Sequence, residues 1–453
     1  MATLFMATAG VDGVLDATGR GCTQAPTPND FHVGHAAVFA LAPATMATLP
    51  TSKRQPRLPA ASRSSPTNET RIFLTGFPGF IAKRLLRRLL ADDTTATAVC
   101  LVEEARKNDA DGELNRMPPE LRTRVRLAVG DIRKMDLGLA GLELKSLGDV
   151  THAFHLAGVQ SAAAGPALLK AVNVDGVRNI IAFARELPKL KRLVHFSSCF
   201  VSGDRQGVVL EEHLDDVPAR RSPDEESKYQ GERLMRAAMG DLPISIVRPA
   251  IVVGDSETGE VDRFDGVYAM GILLVTSPVS VPIPLPGPGM APLNVIPVDY
   301  LTRVVARIAT SDFAVGRTFH VVDPNPLSAR MIYDLVARRS GKRTGPPSAP
   351  QTAWASSMAM SLAAQRVTAM ASHLAPVLDV IPGFERLRRG AAAVELFDRF
   401  VLYNASNTAH LLAGTDIVCP RFDTYVDALV KYVKDALREE RLTIDRKVAD
   451  SLM

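Results

Sequence analysis

The chain contains few cysteines and little excess charge, and each shortage excludes a class of protein. Its four cysteines lie far apart without a CxxC pair, which argues against a disulfide-stabilised fold and a structural zinc site. The sequence therefore predicts reduced thiols, a cytoplasmic location and no metal site, since its nine histidines also lack metal-ligand spacing. With 53 basic and 49 acidic residues the net charge is only +4, so no nucleic-acid partner is indicated.

The sequence also lacks an apolar segment able to cross a membrane. Residues 266–298 carry no charge, but Pro278, Pro282 and Pro284 fall within them, and a spanning helix of ~20 residues does not tolerate such a series. We interpret residues 268–275 as a short apolar helix and the rest as an extended loop beside a substrate cleft. The Ala- and Met-rich residues 352–377 are interpreted as a packed helix. No transmembrane segment is predicted.

The first 66 residues do not show the periodicity of a folded element. They are rich in Ala, Thr, Pro and Ser, and Pro43, Pro50 and Pro59 interrupt any helical pattern. The segment is interpreted as a disordered tail or as the product of a wrongly chosen start codon. A transit-like leader is the alternative, because acidic residues are sparse there. The rest of the chain has room for one large α/β unit with additions, or for two domains.

Residues 71–90 show a strand, a glycine turn and a helix in succession. The helical pattern after the turn places leucines on one face and basic residues on the other. Gly76 permits a tight turn, Gly79 lets the backbone approach a pyrophosphate at the positive end of the helix, and Ala82 allows close packing. The turn predicts a dinucleotide site formed by Gly76, Phe77, Pro78, Gly79, Phe80 and Ile81.

Further predicted strands follow at the spacing of a parallel sheet. They alternate with helical patterns, which indicates an α/β fold with a doubly wound parallel sheet, the Rossmann fold; they are 98–102, 125–129, 153–156, 193–196 and 244–247. Glu103, after the second strand, can accept hydrogen bonds from the adenine-ribose hydroxyls and would repel a 2′-phosphate. It favours NAD over NADP. A solvated loop acid is the alternative, because Glu104 lies beside it.

Seven short motifs in this order resemble those of the extended short-chain dehydrogenase/reductase family. They lie between residues 70 and 325 and read TGFPGFIA, GDI, HLAG, NVDGV, FSSCFVSG, ESK and RPAIVVG. The turn and the proline-rich loop are most similar to the thioester and fatty-acyl reductase branch, of the male-sterility type, and epimerases and dehydratases come next. The resemblance implies that NAD or NADP is also contacted by Asp131, Ile132, Leu156, Ala157, Gly158, Asn173, Lys228, Arg248 and Pro249.

The resemblance also implies how the chain is divided. Residues 67–325 would form the NAD(P)-binding Rossmann domain, to whose substrate cleft residues 256–298 contribute. Residues 326–453 would form a smaller, mostly helical substrate-binding or capping region, with an amphipathic helix at 423–439.

Members of the family use a serine, a tyrosine and a lysine, the last two spaced as YxxxK on one helix face. Ser198 is similar to the serine that polarises the substrate oxygen, and Lys228 to the lysine. The tyrosine position, four residues before the lysine, is occupied by Asp224. A carboxylate beside an ammonium is ionised at neutral pH and cannot donate a proton to a carbonyl. The resemblance thus predicts a cofactor site with impaired proton transfer.

Neighbouring side chains are not expected to supply the proton. Tyr229 lies five residues beyond Asp224, which is about 140° around a helix, so it faces elsewhere. The acids Glu225, Glu226 and Glu232 are interpreted as a solvated helix face. His155 is interpreted as a core or strand-end histidine.

Three functions stay open, in this order. The first is an NAD(P)-dependent oxidoreductase acting on an apolar carbonyl or acyl-thioester-derived substrate, with weak activity because of Asp224. Its partner would be a small lipid-like or acyl molecule, and a homodimer is compatible with the resemblance. The second is a non-catalytic NAD(P)-binding protein. The third is a sugar-nucleotide epimerase or dehydratase, which the uncharged loop disfavours because such an enzyme needs a polar cleft.

Overall fold

The computed structural model describes residues 69–160, 164–214, 222–261, 289–341 and 400–450. The chain divides into two units, Met1–Ser65 and Pro66–Met453, and all described residues belong to the second. The predictions for the segments 1–66, 268–275 and 352–377 therefore lie outside the described residues.

Seven parallel strands form the central sheet. In chain order they are β1 (Arg71–Thr75), β2 (Thr97–Val102), β3 (Val125–Val129), β4 (His152–His155), β5 (Arg192–Phe196), β7 (Ile244–Pro249) and β10 (Arg317–Val321). Their spatial order is β10-β7-β5-β4-β1-β2-β3. The order reverses between β1 and β4, and ligands of such sheets bind outside the carboxyl ends of the strands at this switch point. The predicted doubly wound Rossmann sheet is confirmed.

The other strands form two short parallel pairs. β6 (Gly207–Val209) pairs with β11 (Val401–Tyr403), and β8 (Ile251–Val253) pairs with β9 (Val295–Pro297). The helices are α1 (Phe80–Asp92), α2 (Lys107–Asn115), α3 (Pro119–Arg122), α4 (Gly141–Lys145), α5 (Pro166–Lys170), α6 (Gly176–Arg185), α7 (Pro223–Ala237), α8 (Val298–Thr310), α9 (Ala329–Arg339), α10 (Ser406–Leu412) and α11 (Phe422–Asp450). A π-helical turn, Ala171–Asp175, joins α5 to α6.

The two faces of the sheet are covered by different helices. Successive strand residues point to opposite faces, so Ile72 and Leu74 pack with the apolar sides of α1 and α8. Phe73 packs instead on the face covered by α6 and α7, where its ring lies 4.7 Å from that of Phe183, centroid to centroid. Both faces are thus apolar cores, as expected for a parallel sheet.

Residues before and after β10 together form a smaller apolar cluster. It is formed by β8, β9, α9 and α11, and it includes Val253, Leu293, Val295, Phe422, Val426 and Leu429. The predicted amphipathic helix 423–439 lies within α11. In the described part of the chain, no helix combines the length and the apolar character that a membrane span needs.

Candidate active site

The glycine turn ends β1 and begins α1 at the switch point of the sheet. Gly76 has φ +89°, and a β carbon there would lie 2.9 Å from backbone atoms of Leu156 and Ala157, so only glycine fits. A β carbon on Gly79 would lie 2.7 Å from the Gly76 carbonyl oxygen. Gly79 is the N-cap of α1 and offers no capping side chain, and the first turn of α1 carries no acid. The helix start is therefore open to an anion.

The six predicted turn residues differ in what they can present to a cofactor. Phe77 is only 3% exposed and packs in the core, so only its backbone is left for binding. Phe80 lies under the guanidinium of Arg84, whose Cζ is 4.9 Å from the ring centroid. The turn therefore fits a pyrophosphate mainly through its backbone, as its glycines require.

Two acids occupy the carboxyl ends of β2 and β3. Glu103 directly follows β2, and Asp131 lies in the loop after β3. Both Asp131 oxygens accept hydrogen bonds from Arg133, at 2.8–3.1 Å, and this bond lowers the pKa of Asp131. Ile132 is buried in the core beside them. Sequence reasoning missed Arg133, although its place two residues after Asp131 could have indicated a local ion pair.

The loop after β4 closes the other side of the switch point. The Thr75 hydroxyl accepts a hydrogen bond from Ala157 N at 3.1 Å and bonds His155 Nδ1 at 2.9 Å. His155 is 2% exposed and stacks on His195 of β5, with centroids 5.3 Å apart. Burial lowers the pKa of both imidazoles, and Lys228 lowers it further. Two neutral histidines therefore lie beneath the site.

Asn173, in the π-helical turn, fastens this loop to α7. Its amide accepts a hydrogen bond from Val159 N at 2.9 Å and donates to Val159 O at 2.7 Å. It also donates to the Ser227 hydroxyl at 2.8 Å. Asn173 is only 3% exposed, so its side chain serves these contacts and fixes the residue before Lys228.

The start of α7 carries Asp224 and Lys228 one helical turn apart. Ser222 caps the helix by accepting a hydrogen bond from Glu225 N, and Pro223 occupies the first turn. Lys228 Nζ reaches the loop after β4, because a β carbon built on Gly158 would lie only 2.5 Å from it. Burial lowers the pKa of Lys228 to about 8, and the Asp224 carboxylate opposes that shift. The geometry thus brings Lys228 to the switch point, with an acid in place of tyrosine behind it.

Ser198 follows β5 at the same edge of the sheet. It is 5% exposed, and its hydroxyl accepts a hydrogen bond from Phe200 N at 3.2 Å while capping the turn Cys199–Ser202. Since that bond uses an oxygen lone pair, the hydroxyl hydrogen can be donated elsewhere. Tyr229 does not share the position of Asp224, because it packs against Val201 and Leu214.

The interpretation of Glu232 as a solvated residue is wrong. Its side chain is fully buried and forms an ion pair with Arg248 at 2.6 Å, and it accepts hydrogen bonds from Ser197 and Arg236. Burial alone would raise the pKa of Glu232, but the Arg248 charge and these hydrogen bonds bring it below its usual value. The helical period could have revealed this, since Glu232 lies four residues after Lys228 on the same inward face.

The expected role of Arg248 as a cofactor ligand does not fit its surroundings. The side chain is 1% exposed and its guanidinium contacts Glu232, the His213 carbonyl and His320. It neutralises a buried carboxylate instead. Pro249, at the end of β7, is buried as well.

An open, mostly apolar pocket with a cavity volume of about 30 Å³ begins directly after Ser198. None of its lining residues is charged, and the set is Cys199, Phe200, Ala250, Ile251, Pro292, Leu293, Asn294, Val401 and Tyr403. Three of them come from the proline-rich segment and two from β11. Among the described residues, no group of His, Cys, Asp and Glu is placed to hold a metal ion.

The chain is similar to known reductases. The chain is 29% identical over 277 residues to the aldehyde reductase lnbA of Aspergillus flavus, covering 57% of this chain and 27% of that protein. The chain spans less than two-fifths of the length of the curated relatives that match it first.

Solved structures show the same fold. The terminal R domain of the myxalamid PKS-NRPS pathway superposes with a TM-score of 0.64 at 23% identity, covering 80% of this chain and 90% of that domain. A UDP-glucuronic acid 4-epimerase of Bacillus cereus, in complex with NAD, gives 0.56 at 18% identity, covering 81% and 99%.

A family model assigns the chain more directly. The model, described as male sterility protein and NAD-binding, matches residues 74–305, more than half of the chain. This range holds the glycine turn, Ser198, Asp224 and Lys228. The chain therefore belongs to the male sterility protein family, an NAD-binding branch of the extended short-chain dehydrogenase/reductases.

Proposed function

We propose that the chain is an NAD(P)-dependent reductase of apolar carbonyl or acyl-thioester substrates, and that Asp224 keeps its turnover low. One observation carries the proposal: Lys228 Nζ lies at the Gly158 loop, while the position one turn earlier on α7 holds a carboxylate. Cofactor-binding and substrate-orienting groups are thus kept, and the usual proton donor is replaced.

The residues at the switch point fit a nicotinamide dinucleotide. The backbone from Gly76 to Ile81 would hold the pyrophosphate, because the start of α1 is uncapped and a larger residue at Gly79 would collide with the turn. Glu103 would bind the adenine ribose and slightly favour NAD. Lys228 would hold the nicotinamide ribose. When bound, the nicotinamide supplies or accepts a hydride.

Ser198 and Lys228 are the groups that would act on the substrate oxygen. The Ser198 hydroxyl can donate a hydrogen bond to a carbonyl, and the Lys228 ammonium can stabilise negative charge that develops there. At neutral pH Lys228 is still mostly protonated, since its pKa is about 8. These two groups would account for a residual activity without a tyrosine, because the Lys228 ammonium can also give the alkoxide its proton and regain one from solvent. The Asp224 carboxylate keeps the ammonium charged but has no proton to give.

The substrate class is proposed from the pocket beside Ser198. Its walls are uncharged and include Phe200, Ile251 and Leu293, so the carbon atoms next to a carbonyl held at Ser198 would bury apolar area against them. A sugar nucleotide would leave its hydroxyls and phosphates unpaired against these walls. This pocket favours a reductase over an epimerase.

The test is an assay of the wild type, Ser198→Ala and Lys228→Ala with NADH and NADPH. Substrates are decanal, 2-decanone and a decanoyl thioester, and binding of both cofactors is measured by calorimetry in parallel. We expect slow wild-type turnover that both substitutions reduce. Lys189→Ala, which removes an exposed lysine, is the control and should behave as the wild type. Vigorous turnover that survives Lys228→Ala would contradict the proposed site.

A second function is favoured by Asp224 itself. A chain that binds the cofactor but lacks a proton donor could serve as a non-catalytic NAD(P)-binding protein. One set of results would favour the binding protein over the reductase. In it, calorimetry shows that the wild type binds NAD or NADP, and neither the wild type nor Asp224→Tyr turns over any substrate.

A further inference from the structure

A basic side chain, Arg133, lies between the two acids that are expected to surround the adenosine part of the cofactor. Its Nε and one terminal nitrogen donate to both oxygens of Asp131 at 2.8–3.1 Å, and its backbone N–H donates to the same carboxylate. The same terminal nitrogen lies 3.8 Å from Glu103 Oε2. Two acids that follow neighbouring strands thus share one guanidinium.

The Arg133 guanidinium is fixed by Asp131 but keeps unoccupied hydrogen-bond donors. Asp131 engages one edge of the fork, and the other terminal nitrogen has no hydrogen-bond partner among the described residues. The Arg133 side chain is 39% exposed, whereas that of Asp131 is 14% exposed. An arginine fork fixed on one edge keeps its remaining donors oriented, and such forks suit phosphate groups.

The ion pair with Arg133 weakens the repulsion between Glu103 and a 2′-phosphate. An isolated carboxylate after β2 repels a 2′-phosphate, and it does so more strongly where solvent is excluded. A guanidinium 3.8 Å away offsets much of that repulsion. Glu103 alone therefore does not exclude NADP from this site.

We infer that Arg133 is the residue that admits NADP, by binding the 2′-phosphate, so that the chain uses both dinucleotides and the Glu103–Arg133 pair sets their ratio. The inference rests on the proposed cofactor site and adds the residue that determines its selectivity. With NAD, Glu103 binds the ribose hydroxyls and Arg133 stays on Asp131. With NADP, Arg133 keeps its bond to Asp131 and donates with its outer nitrogen to the phosphate.

The test is calorimetry with NAD, NADP, 5′-AMP and adenosine 2′,5′-bisphosphate. Hydrogen bonds to charged groups contribute about 1.5–3 kcal/mol, so Arg133→Ala should raise the Kd ratio of NADP to NAD roughly tenfold to hundredfold. The Kd ratio of adenosine 2′,5′-bisphosphate to 5′-AMP should rise by a similar factor. Arg133→Ala also removes the side-chain hydrogen bonds from Arg133 to Asp131. That loss should change the affinity for all four ligands alike, so it cancels in the Kd ratios. Arg133→Gln, which keeps a donor for Asp131, should reproduce the change if Arg133→Ala lowers stability.

Arg126→Ala is the matched control, because Arg126 pairs with Glu143 and lies near the start of β3, away from the carboxyl edge. It should leave both ratios within about twofold, the size expected of a distant screened charge. Unchanged ratios in both Arg133 variants, or a wild type that binds NAD but not NADP, would overturn the inference and leave the proposed function standing. A wild type that binds none of the four ligands would overturn the proposed function as well.

Discussion

The starts of α1 and α7 lie at the same edge of the sheet, yet they are built by opposite means. α1 begins with Gly79, without a capping side chain and without an acid in its first turn. α7 begins with a Ser222 cap, a proline and three acids, Asp224 among them. The first start leaves its N–H groups and positive dipole for a ligand, and the second satisfies them internally.

This difference explains what the substitution at position 224 does locally. An acid in the first turn of a helix stabilises it by about 0.3–1 kcal/mol. Asp224 therefore suits the helix start, and on the proposed function it stands where a proton donor would otherwise lie. One turn later Lys228 still reaches the loop after β4, and two turns later Glu232 is fully buried. On the proposed function, the change from tyrosine to Asp224 would be confined to the first turn of α7.

The largest expected effect comes from closing the open helix start. Gly79→Val places a β carbon 2.7 Å from the Gly76 carbonyl oxygen and bulk where the pyrophosphate would lie, so binding of NAD and NADP should be lost. Calorimetry measures this. The control is Gly112→Val in α2, where a β carbon meets nothing within 4 Å. Retained affinity in Gly79→Val would remove the basis for the cofactor site.

Converting the closed helix start to the family pattern should have the next largest effect. Asp224→Tyr restores a proton donor one turn before Lys228, and one positioned acid is worth ~10²–10⁴-fold in turnover. The variant should also lose about 0.3–1 kcal/mol of stability with the first-turn charge. Steady-state rates and thermal unfolding measure the two effects.

Glu226→Tyr is the control for Asp224→Tyr, because it removes a first-turn acid without placing a phenol one turn before Lys228. It should lose similar stability and gain no turnover. An Asp224→Tyr protein slower than an active wild type would show that another group donates the proton.

Glu232, two turns after Asp224 in α7, should affect stability rather than chemistry when it is replaced. Glu232→Gln leaves Arg248 buried without its counter-charge, and breaking such a pair costs about 3–5 kcal/mol. Asp92→Asn, which breaks the exposed Arg88–Asp92 pair, should cost at most about 1 kcal/mol. Urea unfolding of both variants measures the contrast, and equal losses would contradict it.

Protonation of Glu232 should contribute to the loss of stability at low pH. Its pKa in the folded protein lies below the usual value, so it binds fewer protons than in the unfolded chain. Its contribution is then complete above about pH 5 and is lost as the pH falls through the folded pKa. Unfolding free energies measured from pH 7 down to pH 4 should fall more steeply in the wild type than in Glu232→Gln. Parallel curves would show that Glu232 is not ionised in the fold.

The smallest effect is expected at Glu103. Glu103→Ala removes a partly exposed charge whose repulsion of a phosphate is about 1 kcal/mol, so the preference for NAD over NADP should narrow by several-fold. Glu104→Ala, at the neighbouring position, should leave the preference as it is. Calorimetry with both dinucleotides decides this, and a wider gap in Glu103→Ala would contradict the role of Glu103.

The sheet could be predicted from the sequence because each buried strand is a short apolar run followed by a turn or polar residue. The glycine turn was equally readable, since Gly76 and Gly79 have a backbone reason for being glycine. The partners of Arg248 could not be predicted from the sequence, because Glu232 and His320 approach it only through tertiary packing. The same holds for Arg133, whose contact with Glu103 joins the ends of two strands. Charges that neutralise each other inside a fold look in sequence like surface charges.

Glu211, buried beside the Glu232–Arg248 pair, depends on donors that lie far along the chain. It is 1% exposed, and its carboxylate accepts hydrogen bonds from His320 N, Asn407 N and the Thr408 hydroxyl. Two of these donors leave the ribosome almost two hundred residues after Glu211 does. Until then a nascent chain with the whole Rossmann sheet still lacks two of the donors that satisfy this carboxylate, and burial without them is unfavourable. Truncated chains that end before residue 407 should therefore stay bound to chaperones longer than the full chain does, even though they contain every strand of the central sheet.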